Sequence, residues 1–342
     1  MRDFACPACG QQLTFENSLC LRCGTSVALD LLRRTFVVVA DDAEVDDEAG
    51  HGRPCVNLGL AGCNWAAAPG GSEGLCPSCV LTRTRPADDD AAALSAFLDA
   101  ETAKRRMLFE LVELGLPIAE DESSGHPALC FDLLSSGGGP IVTGYAGGVI
   151  TLDLAEGDDV HREQLRVSMD EPYRTLLGHF RHEAGHHYFD VLVQDEAARV
   201  GFKELFGDPD GDYPAALGRH YDEGPPPAWS REFVSAYASM HPAEDWAETF
   251  AHYLHIRDTL DTAAAFGHAP AGATLATPLS GPGAFERIIE LWLPLAWSLN
   301  MINRSMGHHD LYPFVLPETA LHKMRFVHDL VNATQVSVVA GA

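Results

Sequence analysis

The stretch EPYRTLLGHFRHEAGHHYFDVLV, residues 171–193, places Leu176, Leu177, Phe180, Ala184, Tyr188 and Leu192 at helical spacing. Within it His182 and His186 are four residues apart. One helical turn therefore stacks both imidazoles on one face, at a separation that suits a single zinc ion. Glu183 stands beside the first histidine, on the side where a general base would meet the water such an ion activates. His187 points about 100° away around the helix and reads as a packing or surface residue.

A bare HExxH also arises by chance in a chain with 16 histidines. An open catalytic zinc takes three protein groups, so a third ligand must be found. Downstream, YASMHPAEDWAETFAHYLH places Glu244, Glu248, His252 and His255 along one stripe of a helix beginning near Pro242. Glu244 completes a His-His-Glu set. Glu248, one turn on, is placed to accept the free N–H of a zinc-bound imidazole and fix its tautomer. On the residues alone His241, Glu248 and His252 rival Glu244 as the ligand. All these carboxylates could equally be solvated side chains near a positive helix N-terminus.

Eight of the nine cysteines lie within the first 79 residues. Cys6-Pro-Ala-Cys9 and Cys20-Leu-Arg-Cys23 form two CxxC knuckles that together complete a closed tetrahedral zinc site. Cys55, Cys63, Cys76 and Cys79 predict a second such site. Its first half is spaced too widely for a knuckle, and His51 is a substitute ligand to weigh. Four ligands leave no open position, so both sites read as structural. A thioredoxin-type redox motif needs a strand before a helix, which neither Cys6 nor Cys76 has. Pairing interleaved between the two sets stays open. Cys130, in the apolar run ALCFDLL, reads as a buried core thiol.

The chain has 342 residues, of which 46% are apolar and 21% charged, the composition of a folded globular protein. It divides near residue 85. Before that point it is rich in Cys and Gly, with little helical pattern. Afterwards Ala91–Gly115 reads as an amphipathic helix stopped by Gly115 and Pro117. Residues 128–154 carry the strand signals ALCFDLL, PIVTGY and GVITLDL. Helices are predicted over 170–193, 242–265, 284–304 and 318–331, and 207–227 reads as a long surface loop.

The net charge of −26, concentrated in runs at 41–48, 88–90 and 156–159, disfavours binding to nucleic acid or to an anionic membrane. The N-terminus MRDFACPACG lacks the apolar stretch of a secretory signal, and no window is long and apolar enough to span a bilayer. The expectation is a soluble, cytoplasmic protein.

Six runs carry a resemblance: AGCNW (61–65), TAKRRMLFELVELGLP (102–117), GVITLDLAEGDDVHREQLR (148–166), EPYRTLLGHFRHEAGHHYFD (171–190), VSAYASMHPAEDWAETFAHYLH (234–255) and LYPFVLP (311–317). Over nearly its whole length the chain resembles the bacterial zinc-binding metallopeptidases with an N-terminal zinc ribbon. The resemblance implies an α+β chain. A zinc-ribbon region over 1–85 would precede a mainly helical, zincin-like metallopeptidase domain with a small β-sheet over 86–342. One catalytic and two structural zinc ions would be bound. The two helices alone are distantly similar to the catalytic domain of anthrax lethal factor, in which a tyrosine lies seven residues before the glutamate ligand. That similarity implies Glu244 rather than Glu248 as ligand, and Tyr237 as oxyanion stabiliser.

The reaction so implied is hydrolysis of a peptide or protein, with Glu183 taking a proton from water and passing it to the leaving amine. The strand GVITLDL is expected to pair with an extended substrate by edge addition. The rival expectation is a zinc-stabilised binding or scaffold protein with a closed HEAGH site and the ribbon as its module for a protein partner.

Overall fold

In a computed structural model the residues described are 2–39, 51–68, 74–119, 128–136, 139, 141–157, 175–269 and 283–340. The acidic run 41–48, residues 158–159 of the third run, and positions 170–174 of the predicted helix lie outside them. The chain divides into two compact units, Met1–Phe109 with Ala128–His161, and Glu110–Pro127 with Arg162–Ala342.

The first unit opens with β1 (Phe4–Ala5) paired antiparallel to β2 (Gln12–Leu13). Next, β3 (Val27–Asp30) pairs antiparallel with β4 (Thr35–Val39), which pairs in parallel with β5 (His51–Gly52). Short strands bury little, and an edge-to-face cluster of aromatic rings supplies the missing core. Phe4 meets Phe36 at 5.3 Å between centroids, and Phe15 meets Phe109 at 5.4 Å. Each knuckle closes on a glycine in the left-handed region. Gly10 (φ 70°) donates to the Cys6 carbonyl at 2.9 Å, and Gly24 (φ 72°) donates to the Cys20 carbonyl at 2.8 Å. A side chain would be strained at either position. Two single-turn helices follow, α1 (Leu58–Ala61) and α2 (Pro77–Val80).

A four-stranded sheet groups with this unit, in the order β6 (Thr82–Thr84), β7 (Cys130–Leu134), β9 (Val149–Asp153), β8 (Gly144–Ala146). β9, the expected substrate-pairing strand, is parallel to β7 on one side and antiparallel to β8 on the other. Both its edges are taken, so addition of a substrate strand to GVITLDL is ruled out. Cys130, expected to be a buried core thiol, is only half-buried.

Helix α3 (Ala91–Glu113) crosses from one unit into the other. Asp90 caps its start by accepting from Ala93 N at 3.0 Å. Gly115 (φ 69°) ends it, with Leu116 N donating to Leu111 O at 2.9 Å, a Schellman closure.

The second unit is helical. Its elements are α4 (Leu176–Leu192), α5 (Glu196–Phe206), α6 (Tyr213–Glu223), α7 (Pro242–Ala265), α8 (Ala284–Ser305) and α9 (Glu318–Ala340). Thr175 caps α4 by accepting from Gly178 N at 3.0 Å. The helix α6 lies inside the segment predicted as a long loop. Asp212 caps it, accepting from Ala215 N at 3.0 Å, and Pro214 sits in its first turn. Those local signals outweigh the surrounding Gly, Pro and Asp. The last helix continues to Ala340, beyond the predicted 331. The hub of the unit is α4 against α7, flanked by Phe202, Phe206 and Phe326 around the fully buried Trp246. Among the described residues no helix is long and apolar enough to cross a membrane.

Candidate active site and metal centres

Helices α4 and α7 bring three ligand-type atoms together. His182 Nε2 lies 3.0 Å and His186 Nε2 3.6 Å from Glu244 Oε2. Ligands 2.0–2.1 Å from one zinc ion in a tetrahedron sit about 3.3 Å apart, so these spacings fit a single ion. Glu244 Oε2 is buried and accepts no hydrogen bond. A buried carboxylate oxygen left without a donor carries a real cost, which a bound cation would remove.

The outer contacts prepare the same arrangement. Glu248 Oε1 accepts from His182 Nδ1 at 2.7 Å, so it is Nε2 that faces Glu244. The other oxygen of Glu248 accepts from Ser235 Oγ at 2.6 Å. Burial alone would lower the His182 pKa, but Glu244 and Glu248 outweigh it and hold that imidazole well above its ordinary value. Burial would raise Glu244 and Glu248, yet the neighbouring histidines hold both low, Glu248 at about 2. The site therefore calls for positive charge.

Of the rival ligands, none converges. His241 is the N-cap of α7, accepting from Ala243 N through Nδ1 at 3.1 Å. His252 Nδ1 meets the Tyr312 hydroxyl at 2.8 Å. His255 Nδ1 bonds to Arg181. His187 is buried and packs edge-on against Tyr188. Glu183 is 6% exposed and makes no hydrogen bond or ion pair among the described residues. The Tyr237 ring, in a 3-10 turn over Tyr237–Ser239, lies 6.0 Å from that of His182.

The eight N-terminal cysteines form two separate tetrads, Cys6, Cys9, Cys20 and Cys23, then Cys55, Cys63, Cys76 and Cys79, without interleaving. His51 is not among the clustered residues. The Sγ atoms of Cys6 and Cys23 are 3.8 Å apart, those of Cys9 and Cys20 3.7 Å, and those of Cys63 and Cys76 3.4 Å. These are far beyond a disulfide bond, and close to the roughly 3.8 Å edge of a tetrahedral zinc–thiolate site.

Comparison with known proteins agrees. Residues 93–330 match the model of a family described as "Putative zinc-binding metallo-peptidase", and residues 3–90 match a zinc-ribbon domain. The chain belongs to this zinc-binding metallopeptidase family. It is also 60% identical over 333 residues to uncharacterized proteins of Mycobacterium bovis and of two strains of Mycobacterium tuberculosis, covering 97% of this chain and 96% of each relative. No solved structure matches the chain. Its architecture is thus a zinc ribbon followed by a mainly helical metallopeptidase domain.

Sequence reasoning missed three contributors. Arg181, beside the first histidine, is buried and donates to Glu110 Oε2 at 2.7 Å and Asp258 Oδ2 at 2.8 Å, tying α3, α4 and α7 together behind the site. Burial pushes the Glu110 carboxyl up to about 8, although the guanidinium pulls the other way. Ser235 supports Glu248. Tyr213, from α6, donates to Glu244 Oε1 at 2.8 Å. The run Asp212-Tyr-Pro, a cap residue with proline in the first turn, was the available signal for α6. Nothing in it indicated that Tyr213 would meet Glu244.

Proposed function

We propose that the chain is a zinc-dependent peptidase in which His182, His186 and Glu244 hold the catalytic ion. The observation that carries this reading is the convergence of His182 Nε2, His186 Nε2 and the hydrogen-bond-free Glu244 Oε2 on one point. A zinc ion held there supplies a water acidic enough to attack at neutral pH and polarises the scissile carbonyl.

Glu183 then acts as general base. It follows a ligand directly in sequence, it is shielded from solvent, and no described neighbour occupies its oxygens. The proton it takes passes to the leaving amine. Tyr237 donates to the developing oxyanion. Burial, then the charge of Glu244, raise its pKa, so the hydroxyl keeps its proton throughout the working range. Glu248 fixes the tautomer of His182. The two cysteine tetrads hold structural zinc ions. The acidic charge favours peptide or protein substrates over nucleic acid, and the zinc ribbon is a candidate docking module for a protein partner in the cytoplasm.

The test pairs elemental analysis with a peptide library read by mass spectrometry. Wild type should hold three zinc ions and cleave. His182→Ala and Glu244→Ala should each hold two. Glu183→Gln should keep three and lose activity by about 10²-fold or more. A zinc count unchanged in both ligand variants would overturn the assignment, and a scaffold role would take its place.

A further inference from the structure

The two oxygens of Glu244 have different partners. Oε2 faces the two imidazoles. Oε1 accepts the Tyr213 hydroxyl at 2.8 Å. A carboxylate free to rotate can offer a cation either oxygen, or both. One held at Oε1 by a hydroxyl is restrained in rotation, and the oxygen turned toward the imidazoles is Oε2. In this bond Tyr213 is the donor, because an ionised carboxylate oxygen can only accept.

Tyr213 is itself braced against the helix that carries Glu244. His241 caps that helix through Nδ1, so its Nε2 carries the proton and donates to Gly211 O at 3.3 Å. The His241 ring also packs edge-on against the Tyr213 ring, with centroids 5.2 Å apart. A Cβ added to Gly211 would lie 3.3 Å from His241 Nε2, so the loop approaches the cap closely. One histidine thus sets the register between the start of α7 and the start of α6. The hydroxyl reaches Glu244 as a consequence.

We propose that Tyr213 is a positioning residue that holds Oε1 of Glu244, so that the carboxylate presents Oε2 to the metal, with His241 as its brace. This rests on the zinc site proposed above and adds to it a determinant of metal affinity outside the ligands.

The experiment titrates the zinc-loaded full chain with a chelator of known affinity and counts the zinc retained. The same variants, loaded with cobalt, give a visible absorption spectrum of the site. Tyr213→Phe should weaken one of the three zinc sites about 10- to 100-fold and shift the cobalt spectrum, with both cysteine sites unchanged. His241→Asn keeps a helix cap but is too short to reach Gly211, and should give a smaller loss in the same direction. Wild-type affinity and spectrum in Tyr213→Phe would overturn the proposal. Should that variant fail to fold, unchanged affinity in His241→Asn would overturn it. Retention of the third zinc in Glu244→Ala would instead sink the metal-site reading itself.

Discussion

Gly185 and Ala247 are in backbone contact: a Cβ added to the glycine would fall 2.8 Å from Ala247 Cα and 3.1 Å from Ala247 O. The Gly185 carbonyl also accepts from Trp246 Nε1 at 2.8 Å. The glycine of HEAGH is therefore what lets α4 and α7 lie close enough for the two imidazoles of one helix to meet the Glu244 carboxylate of the other. Gly185→Ala would gain up to about 1 kcal/mol in helix propensity. The clash is with backbone and cannot be relieved by a rotamer, so a net loss of about 1–3 kcal/mol is expected. Denaturant unfolding beside zinc analysis checks this. The variant should be less stable and hold two zinc ions; wild-type stability with three would contradict it.

Glu248 joins the two helices a second way, through His182 Nδ1 at 2.7 Å. Glu248→Ala should leave three zinc ions bound at saturation but weaken one site about 10- to 100-fold. Ser235→Ala, which removes only the 2.6 Å hydrogen bond to Glu248, should do less. Chelator competition on both variants measures the order. Equal affinity in Glu248→Ala and wild type would show that the tautomer is held by other means.

What was readable in the sequence was whatever a local period or spacing encodes. The helix over 242–265 was predicted to the residue, because Pro242 and the apolar stripe mark it. The cysteine tetrads followed from their spacing, whereas their separation into two sets needed three dimensions. Tyr213 and Arg181 act through partners tens of residues away, and no local pattern announces such a contact. The expected edge addition to β9 failed for the same reason, since strand order in a sheet is a long-range property. In α6, a cap and a proline overrode a composition that reads as loop.

The two cysteine tetrads differ in access. Cys23 is exposed and Cys9 half-buried, while Cys55, Cys63, Cys76 and Cys79 are all buried. A mercurial thiol reagent should therefore release zinc in two phases, the faster from the first tetrad. With a colorimetric zinc indicator, Cys23→Ser should lack the fast phase and keep the slow one. A single phase in wild type would mean that access does not govern release.

His252 meets the Tyr312 hydroxyl through Nδ1 at 2.8 Å, packs edge-on against Phe314 and feels the charges of Glu248 and His182. Burial, the largest influence, lowers its pKa from 6.5 to about 4, with Glu248 opposing and His182 assisting. Between those values the unfolded chain binds a proton that the folded chain refuses. Stability from this group is therefore complete above about 6.5 and is lost as pH falls toward 4. The full loss is up to about 3 kcal/mol. Other acid-sensitive groups, zinc release included, contribute to wild type and His252→Gln alike and cancel in the difference. Denaturant midpoints at pH 7 and pH 4.5 should show wild type losing more stability on acidification than His252→Gln. If the two lose the same amount, His252 is not held neutral by its burial.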